Sequence, residues 1–79
     1  MRLDKYLKVS RLIKRRTVAN DACDNGRISV NGRIVQASYD VKVGDKLEIS
    51  MGARTVAVEV LQVAETVRKD DAAAMYKEI

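Results

Sequence analysis

Apolar positions recur at helical spacing twice near the start of the chain and at strand spacing after that. Leu3, Tyr6 and Leu7 share one side of a helix at about 100° per residue, with Arg2, Lys5 and Lys8 pointing the other way. This helix is predicted to stop near Val9 or Ser10. Asp4 and Lys8 stand four apart in the acid-before-base order that supports an exposed helix face. A basic connection, Arg11 to Arg15, leads into a second predicted helix from about Arg16 to Asn25, with Val18, Ala19, Ala22 and Cys23 as its apolar stripe. Gly26 just past that stripe supplies the left-handed conformation that closes helices.

Beyond Gly26 the period becomes two. Asn31-Gly32 is the strongest turn signal in the chain, because both residues tolerate the positive φ of a tight type I′ hairpin. It is flanked by predicted strands Arg27–Val30 and Arg33–Gln36. A turn at Val43-Gly44-Asp45 precedes the alternating run Lys46-Leu47-Glu48-Ile49-Ser50. Gly52 then opens a second hairpin into Thr55–Val63, where Val56, Val58 and Val60 share a face. Ala72, Met75, Tyr76 and Ile79 follow i, i+3, i+4, i+7 spacing, which predicts a closing helix capped by Asp70 or Asp71 and packed on the sheet. The order helix, helix, antiparallel strands, helix defines an α+β domain. A chain of 79 residues has room for one core only. Residues 1–50 read as its central motif, and residues 51–79 as a strand-and-helix extension.

Charge changes the picture, because it is unevenly placed. Residues 1–35 carry nine Lys/Arg and three acids, whereas residues 36–79 carry six and eight. Within the first 16 residues there are seven basic side chains and a single acid, Asp4, the density of a surface that meets polyphosphate. Arg2, Lys5, Lys8, Arg11, Lys14, Arg15 and Arg16 are therefore the candidate contacts. Asp4 is their companion, pairing with Arg16 or Lys8 to fix them or simply favouring the helix N-terminus. Two basic helices fit either a DNA groove or folded RNA, and composition does not separate the two.

Catalytic chemistry is poorly supplied. There is no histidine, the one cysteine has no partner, and the four glycines are dispersed as turn formers rather than gathered into a phosphate-cradling loop. No enzymatic activity, metal or cofactor is expected. Cys23 reads as a small core residue on the stripe of the second helix. Tyr6 is open between core packing and stacking on a base; Tyr39, in a loop, shares that ambiguity, and Tyr76 reads as core. No apolar run reaches membrane length and no disulfide forms within the chain, so a cytoplasmic monomer is expected, without membrane contact.

Three segments, Arg2-Leu3-Asp4-Lys5-Tyr6-Leu7, Lys14-Arg15-Arg16-Thr17-Val18-Ala19 and Gly26-Arg27-Ile28-Ser29-Val30-Asn31-Gly32, together resemble the alpha-L RNA-binding domain named after small-subunit ribosomal protein S-four. Arg15 stands where the family commonly has serine. Together with Ala73-Ala74-Met75-Tyr76, that departure makes the chain similar to the small stand-alone branch, which includes the fifteen-kilodalton heat-shock protein and ribosome quality-control factors. The similarity to the quality-control members extends over essentially the whole chain. It implies binding to rRNA and P-site peptidyl-tRNA on obstructed large ribosomal subunits, through Arg2, Asp4, Lys5, Lys8, Arg11, Lys14, Arg15 and Arg16. It also implies support for alanine tailing by an RqcH-like tailing factor. Two alternatives remain open: recycling of free large subunits in the manner of the heat-shock protein, and a protein–protein adaptor that docks through Glu65, Asp70 and Asp71.

Overall fold

In a computed structural model describing Met1–Ile79, two helices pack on one five-stranded antiparallel sheet. Helix α1 spans Leu3–Val9 and buries Leu3, Tyr6 and Leu7 completely. No side chain caps its start. Its first N–H groups are satisfied instead by the loop before the third strand: Leu3 N donates to the Tyr39 carbonyl at 2.8 Å and Asp4 N to that of Ala37 at 3.2 Å. At its far end Arg11 adopts φ +63°, the seat usually held by glycine.

Helix α2, Arg16–Asp24, ends in a Schellman motif. Gly26, at φ +70°, donates to the Cys23 carbonyl and Arg27 to that of Ala22. Its buried stripe is narrower than predicted: Ala19 and Cys23 are buried and Ala22 partly so, but Val18 is 51% exposed. Residues 19 and 23 are one turn apart and meet α1, whereas Val18 is rotated off that line toward solvent. Cys23 lies in the core, and burial among the nearby charges of Asp4 and Asp24 pushes its thiol up to about 11.

The sheet order is β2-β1-β3-β4-β5, formed by Ile28–Val30 (β1), Arg33–Ile34 (β2), Lys46–Met51 (β3), Arg54–Val60 (β4) and Tyr76–Glu78 (β5). Cross-strand register stacks Ile28 on Ile49, Val30 on Leu47 and Leu47 on Val58, which forms the inner face. The opposite face carries Glu48 beside Ser29 and Ala57, and Glu59 between Lys46 and Lys77. At the β1–β2 turn Asn31 and Gly32 take φ +52° and +85°, as a type I′ hairpin requires. The Asn31 side chain donates to Asp45 and accepts from Lys46 N, tying the hairpin to the start of β3. Tyr39 is half-buried and its hydroxyl donates to Asp45 at 3.0 Å, so its polar end braces a loop.

The larger differences from expectation lie at two strand ends and at the end of the chain. Strand β2 stops at Ile34 rather than Gln36, and β4 at Val60 rather than Val63. In place of a closing α-helix the chain makes a 3-10 helix, Lys69–Met75, and then β5 along the edge of β4. The tighter turn sets Ala72 and Met75 one above the other, both buried, and releases Ile79 to solvent at 60% exposure. Arg68, not Asp70 or Asp71, occupies the cap position, and no side chain bonds there. Tyr76 then pairs with Val60, satisfying backbone groups that a helix would have left open on the sheet edge.

Candidate nucleic-acid interface

Beneath the helical surface lies a buried carboxylate. Asp4 sits in the first turn of α1, and only 3% of its side chain is exposed. Arg2 approaches both of its oxygens, Nε at 3.2 Å from Oδ1 and an Nη at 3.3 Å from Oδ2. From α2, Asn20 donates to Oδ2 at 3.3 Å, and Arg16 Nε lies 3.4 Å from the same oxygen. The backbone N–H of Lys5 completes the set at 2.7 Å. Burial works to raise the carboxyl pKa, but the donors from Arg2, Asn20, Arg16 and Lys5 outweigh it and hold the group below the usual carboxylate range. Lys8 does not join this cluster, so the i, i+4 pair read from the sequence is not formed.

The consequence is geometric. Asp4 draws Arg2 from one helix terminus and Arg16 from the other helix around one anion, while each arginine side chain keeps about half of its surface in solvent, 50% and 45%. Two positive groups share one negative charge, which leaves a net positive pair, and a guanidinium fork suits the geometry of a phosphate.

A cleft of about 810 Å³ opens beside this clamp. Lys5, Lys8, Arg11, Lys14 and Arg16 line it from the helices and their connection, and Lys69 lines it from the 3-10 helix. Lys8, Arg11, Lys14 and Arg15 have no acidic partner within 4 Å. The left-handed backbone at Arg11 turns the chain between the helices and brings its side chain to the cleft wall. Arg15 is exposed at the start of α2 but outside the cleft lining. Arg2 borders a separate depression with Asn20 and Gln36.

Sequence reasoning missed two members. Lys69 lies in the net-acidic half of the chain, and the nearest sequence signal was only its adjacency to Arg68. Glu65, grouped with Asp70 and Asp71 as a docking patch, lines the cleft instead and forms an ion pair with Lys5, which holds its carboxyl below the ordinary glutamate value. Tyr6 is resolved as core: it is fully buried, its hydroxyl donates to the Met75 carbonyl at 2.8 Å, and burial pushes its phenol pKa up. No base can stack on it here.

Residues 1–47 match the S4 domain family. The chain is 56% identical to the RQC P-site tRNA stabilizing factor of Halalkalibacterium halodurans over 98% of its own length and 88% of the relative's. It is 55% identical to the factor of the same name from Bacillus subtilis, over 96% and 88%. Among solved structures, the trimeric structure of Vibrio cholerae heat shock protein 15 superposes with a TM-score of 0.93 at 25% identity, covering all of this chain and 81% of that one.

Proposed function

The chain belongs to the S4 domain family, in the group of RQC P-site tRNA stabilizing factors, and from that premise we propose that its basic cleft grips RNA on obstructed large ribosomal subunits. On this reading it binds rRNA and P-site tRNA, holds the peptidyl-tRNA in place, and supports alanine tailing by an RqcH-like factor. It acts as a cytoplasmic monomer and performs no chemistry of its own. One observation carries the reading: cations distant in sequence, from Lys5 to Lys69, converge on one cleft beside the Arg2–Asp4–Arg16 clamp.

The mechanism is that of a brace. Arginines make paired hydrogen bonds to phosphate oxygens, lysines add point charge, and the buried Asp4 fixes the rotamers of two arginines before RNA arrives, which lowers the ordering cost of binding. The sheet and core only hold the two helices at a fixed distance.

The test is Arg16→Ala, with binding to purified large subunits carrying P-site tRNA measured by sedimentation at near-physiological salt. Loss of a phosphate contact and of half the clamp is expected to weaken binding about tenfold, as for loss of a charged hydrogen bond, with the fold retained because Arg2, Asn20 and the Lys5 N–H still satisfy the buried Asp4. Binding as tight as that of the unmodified protein would show that the RNA lies elsewhere.

A further inference from the structure

Glu65 is the one acid among the cleft-lining residues, facing six cations, and its carboxylate is paired with Lys5, 60 residues away in sequence. The segment that delivers it has no regular structure, yet it is pinned at both ends. Leu61 N and Gln62 N both donate to the Met75 carbonyl, and the Arg68 carbonyl accepts from Asp71 N and Ala72 N. Between these anchors Val63, Ala64 and Val67 pack against the core, so the glutamate between them is presented to the cleft by packing.

Building on the RNA-binding reading, we propose that Glu65 is an internal stand-in for phosphate: its carboxylate occupies the Lys5 position, and an RNA must displace it to engage the whole cleft. A carboxylate and a phosphodiester each carry one negative charge and accept from an ammonium in the same way. Exchanging one for the other at Lys5 is therefore nearly balanced. The balance tips only when the same ligand also reaches Arg11, Lys14 and Arg16, which have no internal acid competing in the cleft apart from the clamp at Asp4. Glu65 thus selects against small anions and short contacts, in favour of a folded polyanion whose phosphates meet several of these groups together.

The experiment measures binding of purified tRNA across a range of salt for the unmodified protein, Glu65→Gln, Lys5→Ala, the double variant, and Glu48→Gln on the outer face of the sheet. Glu65 is exposed, so Glu65→Gln is expected to fold normally, and Glu65→Ala provides a second variant. Glu65→Gln is expected to bind about two- to fivefold tighter, the range of an exposed ion pair. Its log–log salt slope should steepen by up to about 0.9, one further phosphate contact without a released carboxylate to re-neutralise. In the Lys5→Ala background the gain should disappear, and Glu48→Gln should show none. A gain that persists without Lys5, or that Glu48→Gln reproduces, overturns the proposal in favour of a general field effect. If the unmodified protein binds tRNA but Glu65→Gln binds no better, the stand-in role alone is lost. If the unmodified protein binds neither tRNA nor large subunits, the RNA reading falls and the inference with it.

Discussion

Asp4 keeps a negative charge almost out of contact with water because five donor groups from two helices surround it. Asp4→Asn preserves shape but removes that charge, and is expected to lose about 1–3 kcal/mol at neutral pH. The carboxyl titrates below its ordinary 3.8 in the folded chain, so its contribution is complete above the unfolded value and is lost as pH falls through the folded one. Urea unfolding of both proteins at neutral pH and near pH 3 checks this: the gap should be full at neutral pH and narrower in acid, as the unfolded chain begins to take up the proton first. Arg11 poses the converse case. Its left-handed φ of +63° would suit glycine better, so Arg11→Gly should hold or raise stability by up to about 1 kcal/mol while weakening RNA binding. Melting temperature and tRNA affinity moving in opposite directions would confirm that the arginine is kept for its side chain; loss of both would refute it.

At the scale of elements, the parts read correctly from the sequence are those fixed by neighbours in the chain. The period of Leu3, Tyr6 and Leu7, the glycine after Asn25 and the Asn31-Gly32 pair each act within a few residues, so α1, α2 and the first hairpin were visible. The end of the chain was not, because its form is decided at a distance: Met75 offers its carbonyl to Tyr6, and Tyr76 completes the edge beside Val60. The cleft divides the same way. Its local cations were evident from charge density, whereas Glu65 and Lys69 reach the cleft only after the C-terminal segment folds back. The β1–β2 turn gives a direct check. Asn31→Ala loses both side-chain bonds and strains a positive φ, at a cost of about 2 kcal/mol, and Asn31→Gly should recover roughly half of that in urea midpoints.

Considered whole, the molecule has one core that ignores the boundary of its matched family segment. The S4 match ends at residue 47, yet Val58, Val60 and Met75 are fully buried against α1 and β3 residues. Each contributes about 1.5–3 kcal/mol of burial, comparable together to the whole stability of a domain this size. A fragment of residues 1–50 is expected to be unfolded, with a coil-like circular dichroism spectrum and collapsed amide dispersion; a folded fragment would show that the N-terminal motif is self-sufficient. The six cations of the cleft also lie together, while Lys46, Glu48, Glu59 and Lys77 on the outer face of the sheet cancel. The protein is therefore an electric dipole, and within a Debye length of a polyanion, about 8–10 Å, it feels a torque before it feels a contact. Collisions arrive cleft first, so added salt should slow the association rate itself as well as shorten the lifetime of the complex.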